Sequence, residues 1–283
     1  MREDKKPLVS VLMGVRYCRK DLGLLKRSVE SILNQTFTDF EFLICDGGSS
    51  DEAIRLLDSL DNDDQRIHLV RDDRIPTDLA NKLNACLHHA RGDLIARMDD
   101  DDSSNPERFE RQVQYLESHP DIAFVGCNVT LRMVNGQVGQ RIFPQYPQVK
   151  DFCFTQPFIH PTLMFRREVL LEVNGYSEDK RCILCEDYDL LLRLYEQGFK
   201  GANLQEQLLD YTIPSTVKGS RKMSHRWNET VTRWRHFRKL GLLPQKAIFI
   251  IKPLIVGLLP ETLLYTTKKF YSGKDLRDGQ NSM

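Results

Sequence analysis

The chain has 283 residues, of which 41% are hydrophobic and 28% are charged. That composition supports an apolar core and excludes a disordered tail, a collagen-like repeat and a disulfide-rich mini-protein. Forty basic and forty acidic residues cancel to a formal net charge of zero, which excludes the basic excess of a non-specific nucleic-acid binder.

Neither a targeting segment nor a disulfide framework is expected. The charged N-terminus precedes an apolar run too short for a signal peptide, and no apolar stretch reaches the roughly 18–20 residues of a spanning helix. Seven cysteines lie at irregular spacing. The pair Cys182 and Cys185 is half a zinc site, a redox pair or, as we expect, two reduced thiols near a helix start. The expected compartment is therefore a reducing cytosol.

Short apolar strands alternate with helical patterns through the first half of the chain. Strands are predicted at 8–13, 40–45, 67–70, 94–98 and 122–126. Helices are predicted between them, the last beginning at Asn105-Pro106-Glu107. Strand–helix–strand repetition with short connections predicts an α/β fold, a mainly parallel sheet with helices on both faces.

The second half of the chain has weaker periodicity. Residues 129–146 have a strand-and-turn pattern, with Asn135-Gly136 as a hairpin turn. A helix is predicted at 186–195 and a strand at 208–212. A polar loop then separates this core from a basic C-terminal third.

Acidic residues follow two of the predicted strands, at Asp46–Asp51 and Asp99–Asp102. Ligands bind beyond the carboxyl ends of strands in such sheets. Consecutive carboxylates repel by roughly 3–4 kcal/mol per pair at an effective dielectric of about 20, and Mg²⁺ or Mn²⁺ would offset that repulsion. The alternative for the second cluster is a solvated acidic turn that caps the helix near Pro106.

The other two motifs also have structural explanations. The segment from Asp46 to Asp51 lets backbone approach a ligand closely, or it is a strand-to-helix turn with Ser50 or Asp51 as N-cap. The acidic residues that follow Cys185 supply a general base, or they pair with the positive end of a helix dipole.

Together these motifs resemble the inverting family 2 glycosyltransferases of the GT-A fold, of the bacterial surface-polysaccharide type. The matching segments are, in order, VSVLMG, DGGSSD, IARMDDDDSSNPERFERQ, HPTLMFRREVL with NGY, and CEDYDLLLRL. They extend from residue 8 to about residue 212, roughly three-quarters of the chain.

The resemblance implies transfer of one sugar, with inversion, from a UDP-linked donor to a saccharide or lipid-linked acceptor. It implies a divalent metal, Mn²⁺ or Mg²⁺, that assists the leaving diphosphate. The implied site residues are Gly14, Asp46 and Asp99 for the donor, Asp99 and Asp101 for the metal, Asp187 as catalytic base, and Glu186 and His160 on the acceptor side.

Three departures from the family pattern matter. Many relatives carry Pro-x-Tyr-Asn where this chain has residues 14–17, so Arg16 or Tyr17 would contact the nucleobase. Pro214 stands where relatives often have a metal-binding histidine, so His225 replaces it, or the metal has fewer protein ligands, or metal dependence is weaker. The Gln-x-x-Arg-Trp signature of processive relatives is absent, which favours transfer of a single sugar.

The resemblance divides the chain into a transferase domain, 1–215, and a basic C-terminal helical region, 216–283. Within the domain, 1–127 is the nucleotide-sugar half and 128–215 the acceptor half. Basic residues, tryptophans and apolar runs after residue 220 predict a helix lying in an anionic membrane surface, at the cytoplasmic face of the plasma membrane. A helical subdomain packed on the core or a subunit interface is the alternative.

Two other functions remain as alternatives. A sugar-nucleotide nucleotidyltransferase would have a G-x-G-[TS]-R loop after the first strand, which Gly14-Val15-Arg16 does not form. A non-catalytic membrane-surface binding protein on a degenerate transferase scaffold would explain the departures at Gly14, Arg16 and Pro214. A dehydrogenase is disfavoured, because no G-x-G-x-x-G follows a predicted strand.

Overall fold

A computed structural model describes residues 6–19, 21–71, 78–133, 138–213 and 222–258. The strands in these ranges are β1 (Val9–Val15), β2 (Phe40–Asp46), β3 (Ile67–Val70), β4 (Leu94–Arg97), β5 (Ser103–Ser104), β6 (Phe124–Met133), β7 (Val138–Arg141), β8 (Met164–Arg166) and β9 (Gly201–Ile213). The α-helices are α1 (Gly23–Leu33), α2 (Asp51–Asp63), α3 (Leu79–His89), α4 (Arg108–Ser118), α5 (Arg167–Glu172), α6 (Glu186–Glu196), α7 (Met223–Lys239) and α8 (Ile248–Leu258).

The described strands form one sheet in the order β3-β2-β1-β4-β8-β6-β9-β5, with β7 paired to β6. The first four strands are parallel, and β6 and β9 are also parallel. Antiparallel pairing is confined to the short strands β5, β7 and β8. The predicted α/β fold with a mainly parallel sheet is confirmed.

Apolar residues of β1 alternate between the two faces of the sheet, as the twofold repeat of a strand requires. Val11 and Met13 belong to one core cluster, with α1, α2 and α4, whereas Leu12 belongs to the other, with α3, α5 and α6. Phe237 of α7 and Ile250 of α8 join the second cluster. Both faces are therefore covered, and one side of the C-terminal helices packs on the core. The division at residue 215 stays a prediction.

Local details near the sheet edge differ from the sequence prediction. Helix α4 begins at Arg108, and Asn105–Glu107 form a turn in which the Asn105 carboxamide oxygen accepts the Glu107 N–H at 3.0 Å. Ser50 is the N-cap of α2 and accepts the Ala53 N–H at 3.4 Å. The expected turn at Asn135-Gly136 lies outside the described residues, although the flanking strands pair as a hairpin would.

Candidate active site

Residues from both halves of the chain line one cavity of about 340 Å³ at the carboxyl end of β4. Asp99, which follows β4, is one of the lining residues. His160, Glu186 and Asp187, from later in the chain, also line it. Asp99 and Asp187 therefore face one cavity although they are far apart in sequence. Asp101 is not among the lining residues.

The Asp99 carboxylate lies against a buried cation that the sequence prediction did not include. Arg97, only 2% exposed, forms an ion pair with Asp99 and donates to the Met98 carbonyl. Burial alone would lower the pKa of Arg97, but Asp99 raises it above the usual value. An arginine at the end of an otherwise apolar strand is the sequence signal that could have revealed this pair.

The rest of the acidic cluster has mixed surroundings. Asp101, 22% exposed, pairs with Arg19 at 3.1 Å. Asp102 is 1% exposed and its Oδ1 accepts the Thr212 N–H at 2.8 Å. Asp102 is therefore neither solvated nor a helix cap, and that alternative is wrong for this residue: it anchors the end of β9.

Burial and mutual repulsion disfavour the ionised form of two carboxyl groups in this cluster. Burial, with repulsion from Asp101 and Asp99, raises the pKa of Asp100 to about 6. Burial, with repulsion from Asp99, raises the pKa of Asp102 to about 8. A divalent cation would relieve this repulsion, and hard oxygen ligands suit Mg²⁺ or Mn²⁺. The chemistry of the side chains thus fits a metal.

The number of protein ligands available to such a metal is small. Within the described ranges, no three His, Cys, Asp or Glu side chains are grouped so that they could hold an ion between them. Mg²⁺ is commonly held by one or two carboxylates, with phosphate and water oxygens completing its shell. His225 lies in α7 and does not line the cavity, and Pro214 lies outside the described residues.

Asp187 and Glu186 occupy the first turn of α6 but have different environments. The half-buried Asp187 accepts the Tyr188 N–H at 2.8 Å through Oδ1 and has room to face a ligand. Glu186 is 8% exposed, and burial together with Asp187 raises its pKa to about 7. Adjacent carboxyl groups with unlike environments are able to take different acid and base roles.

His160 lies in the cavity wall as a neutral side chain. Burial and the nearby Arg97 hold its pKa well below the usual value. Its Nε2 lies 2.8 Å from the Tyr176 hydroxyl. A neutral imidazole in this position can hydrogen-bond a hydroxyl group but adds no positive charge to the cavity.

The two glycines of the donor side make room for a buried lysine that the sequence prediction missed. A Cβ on Gly14 would lie 3.1 Å from Lys82 Cβ, and one on Gly47 would lie 2.7 Å from Lys82 Cδ. Lys82 is 4% exposed, and its ammonium group donates to the Val15 carbonyl at 3.0 Å. Asp46 accepts the N–H groups of its own loop at Gly48 and Ser49, both at 3.1 Å.

The aromatic residue next to this loop does not face solvent. Tyr17 is 3% exposed, and its hydroxyl donates to the Asp21 carbonyl at 2.8 Å. Its ring is therefore not accessible for stacking on a nucleobase. Arg16 is exposed, which leaves it as the candidate contact of the two.

Comparisons with known proteins agree with the arrangement of these motifs. The Glycosyl transferase family 2 model matches residues 17–173. EpsE of Bacillus subtilis, named as a glycosyltransferase, is 35% identical over 272 residues, 95% of this chain and 96% of its own. WbnJ of Escherichia coli, an O-antigen biosynthesis glycosyltransferase, is 34% identical over 211 residues, 73% of this chain and 80% of its own.

A solved structure supports the fold. The crystal structure of S. aureus TarS residues 1–349 in complex with UDP-GlcNAc matches with a TM-score of 0.66 at 16% identity, over 86% of this chain and 72% of that one. At this identity the likeness shows the GT-A fold alone, as expected from the motifs. The family match over more than half of the chain, with a relative similar along nearly all of it, shows that the chain belongs to glycosyl transferase family 2 and is a glycosyltransferase.

Proposed function

We propose that the protein transfers one sugar, with inversion, from a UDP-linked donor to a saccharide or lipid-linked acceptor in surface-polysaccharide biosynthesis. The observation that carries this proposal is the cavity shared by Asp99 and Asp187. The name of WbnJ supports the pathway class, and the TarS complex with UDP-GlcNAc supports the donor class.

The proposed reaction uses Asp187 as general base. The acceptor hydroxyl oxygen forms a bond to the anomeric carbon while the bond from that carbon to the diphosphate oxygen breaks on the opposite face. The electron pair leaves with the nucleoside diphosphate, and the hydroxyl proton passes to the Asp187 carboxylate. Glu186, with its pKa near 7, and neutral His160 hydrogen-bond the acceptor beside it.

The donor end of the site is proposed to involve Gly14, Asp46 and Asp99. Asp99 and Asp101 would hold a Mg²⁺ or Mn²⁺ ion, and Arg19 would release Asp101 when it does so. When bound, such an ion neutralises the charge that develops on the leaving diphosphate. Arg97 keeps the Asp99 carboxylate oriented at the end of β4.

A thermal-shift panel of nucleotide sugars, each with and without Mn²⁺, tests the donor proposal. We expect a UDP-sugar with Mn²⁺ to raise the Tm, because a ligand at a hundredfold excess over its Kd stabilises the native state by about 2.7 kcal/mol. Non-UDP nucleotide sugars are the matched controls. If no nucleotide sugar shifts the Tm, with or without Mn²⁺, the donor site is wrong. A Tm shift that is the same with and without Mn²⁺ would contradict the proposed metal but support the proposed donor site.

The C-terminal helices are proposed to lie on an anionic membrane at the cytoplasmic face. Trp227 and Trp234, seven residues apart on α7, are 58% and 55% exposed. On α8, residues at helical spacing i, i+3, i+7 and i+10 form an exposed apolar stripe: Ile248, Ile251, Ile255 and Leu258. The helices also carry Arg226, Arg235, Arg238, Lys239 and Lys252. In the described part of the chain no helix is both long and apolar enough to span a bilayer.

Exposed aromatic and apolar side chains with basic neighbours are the pattern of an interfacial surface. We therefore expect the protein to float with vesicles containing anionic lipid, and less so at high salt, because screening weakens the attraction. The double variant Trp227→Ala, Trp234→Ala is expected to lose most of this binding. Leu171→Ala, which removes a 46%-exposed leucine on α5, is the matched control. Wild-type protein that stays unbound would contradict the membrane proposal.

A further inference from the structure

A histidine of α7 contacts α6, the helix that carries the proposed base. His236 is 1% exposed; its Nε2 lies 2.9 Å from Asp189 Oδ1 and its Nδ1 lies 2.6 Å from Glu196 Oε1. Both ring nitrogens therefore lie within hydrogen-bond distance of a carboxylate oxygen. Asp189 also accepts from Arg193 Nε at 2.7 Å. Burial alone would raise the pKa of Asp189, but His236 and Arg193 hold it at about 2.

The position of this contact on α6 links it to the proposed base. Asp187 and Asp189 are two residues apart, so at 3.6 residues per turn they project from nearly opposite sides of the helix. Asp187 lines the cavity while Asp189 faces α7. Glu196, seven residues after Asp189, is on the same side of the helix. His236 therefore bridges two points along the back of α6.

A second side chain of α7 ties the same helix to another part of the cavity wall. Arg233, 3% exposed, donates to the Cys153 carbonyl at 2.8 Å, and its guanidinium carbon lies 4.8 Å from the centre of the Tyr188 ring. The Tyr188 hydroxyl donates to the Phe152 carbonyl at 2.6 Å. Thr155, two residues after Cys153, lines the cavity. Arg233 of α7 therefore contacts both α6 and the segment that leads to Thr155, and both of these line the cavity.

Stability alone is a poor reason for such a cluster. A buried ion-pair network adds little more to the stability of a protein than well-packed apolar residues of the same volume, because removing each charge from water costs free energy. The directional hydrogen bonds do fix the rotation and depth of α6 relative to the cavity. Small displacements of a reacting group cost much more in rate than in stability.

We propose that α7, which lies outside the residues matched by the family model, positions the active-site helix α6, and that His236 is a positioning residue for Asp187. This inference rests on the proposed function, since it needs Asp187 to be the base. His236 itself does not line the cavity and contacts no substrate.

The test compares His236→Gln with His88→Gln, which makes the same change at an exposed position near the end of α3. In His236→Gln, kcat is expected to fall about ten- to a hundredfold. Its donor KM, and its Tm shift with the UDP-sugar that gives the largest shift in the wild type, should stay within twofold. His88→Gln should keep kcat within twofold. A merely structural role would instead lower donor binding and kcat together, or change neither.

Glu196→Gln keeps the test decisive if His236→Gln does not fold. Its carboxamide group can still hydrogen-bond Nδ1, so the fold is retained, but the carboxylate next to the ring is removed. A several-fold lower kcat with unchanged donor KM supports the positioning role, and an unchanged kcat overturns it. Wild-type protein measured alongside separates the two proposals: no transfer by wild type refutes the proposed function, whereas equal transfer by wild type and His236→Gln refutes only this inference.

Discussion

Asp187→Asn is expected to lower kcat by about 10²–10⁴-fold, the contribution of a positioned general base. The substituted carboxamide has nearly the same shape, and its oxygen can still accept the Tyr188 N–H, so α6 should keep its first turn. It cannot take a proton from the acceptor hydroxyl at neutral pH. Because the donor diphosphate is proposed to bind near Asp99, its binding should change by no more than a few-fold.

Steady-state transfer measurements and calorimetry of UDP binding check this result together. Asp93→Asn is the matched control, because Asp93 is exposed and precedes the amino end of β4, away from the cavity edge. The control should keep wild-type kcat. A fully active Asp187→Asn enzyme would remove Asp187 as the base, and loss of donor binding in the same variant would indicate a folding defect.

The edge of the sheet that carries the site was predictable from local sequence. Strands β1, β2 and β4 are short apolar runs that end abruptly in polar residues, and parallel strands bring those ends together. The amino-acid pattern alone therefore places Asp46 and Asp99 at one edge. The motif around Asp187 could be placed at a helix start for the same local reasons.

The partners of these residues could not be predicted, because they come from distant segments. A solvated turn was the alternative for Asp102, but the Thr212 N–H reaches it from β9. Leu79 and Lys82 together explain the need for glycine at position 14, yet both lie on α3 and belong to an ordinary helical pattern. The contact of His236 with Asp189 joins α7 to α6. Each of these contacts buries charge, which sequence periodicity does not reveal.

Glu186 is expected to make the protein less stable as the pH rises. Its pKa is about 7 in the folded chain, against an ordinary value of 4.5. Below pH 4.5 the carboxyl is protonated in both states and there is no penalty. As the pH rises from 4.5 to 7 the unfolded chain releases the proton while the folded chain retains it, so the free energy of unfolding falls. Above pH 7 the loss is complete.

Glu186→Gln should remove this loss, because the amide has no proton to release. Its stability advantage over wild type should grow by roughly 2–3 kcal/mol between pH 5 and pH 8. Denaturant unfolding at the two pH values measures that difference, and other titrating groups largely cancel in it. Glu117→Gln, at an exposed position on α4, should show no such growth. If the free energies of unfolding of Glu186→Gln and wild type differ by the same amount at both pH values, Glu186 is already ionised at pH 5. The unlike environments assigned to Glu186 and Asp187 would then be wrong.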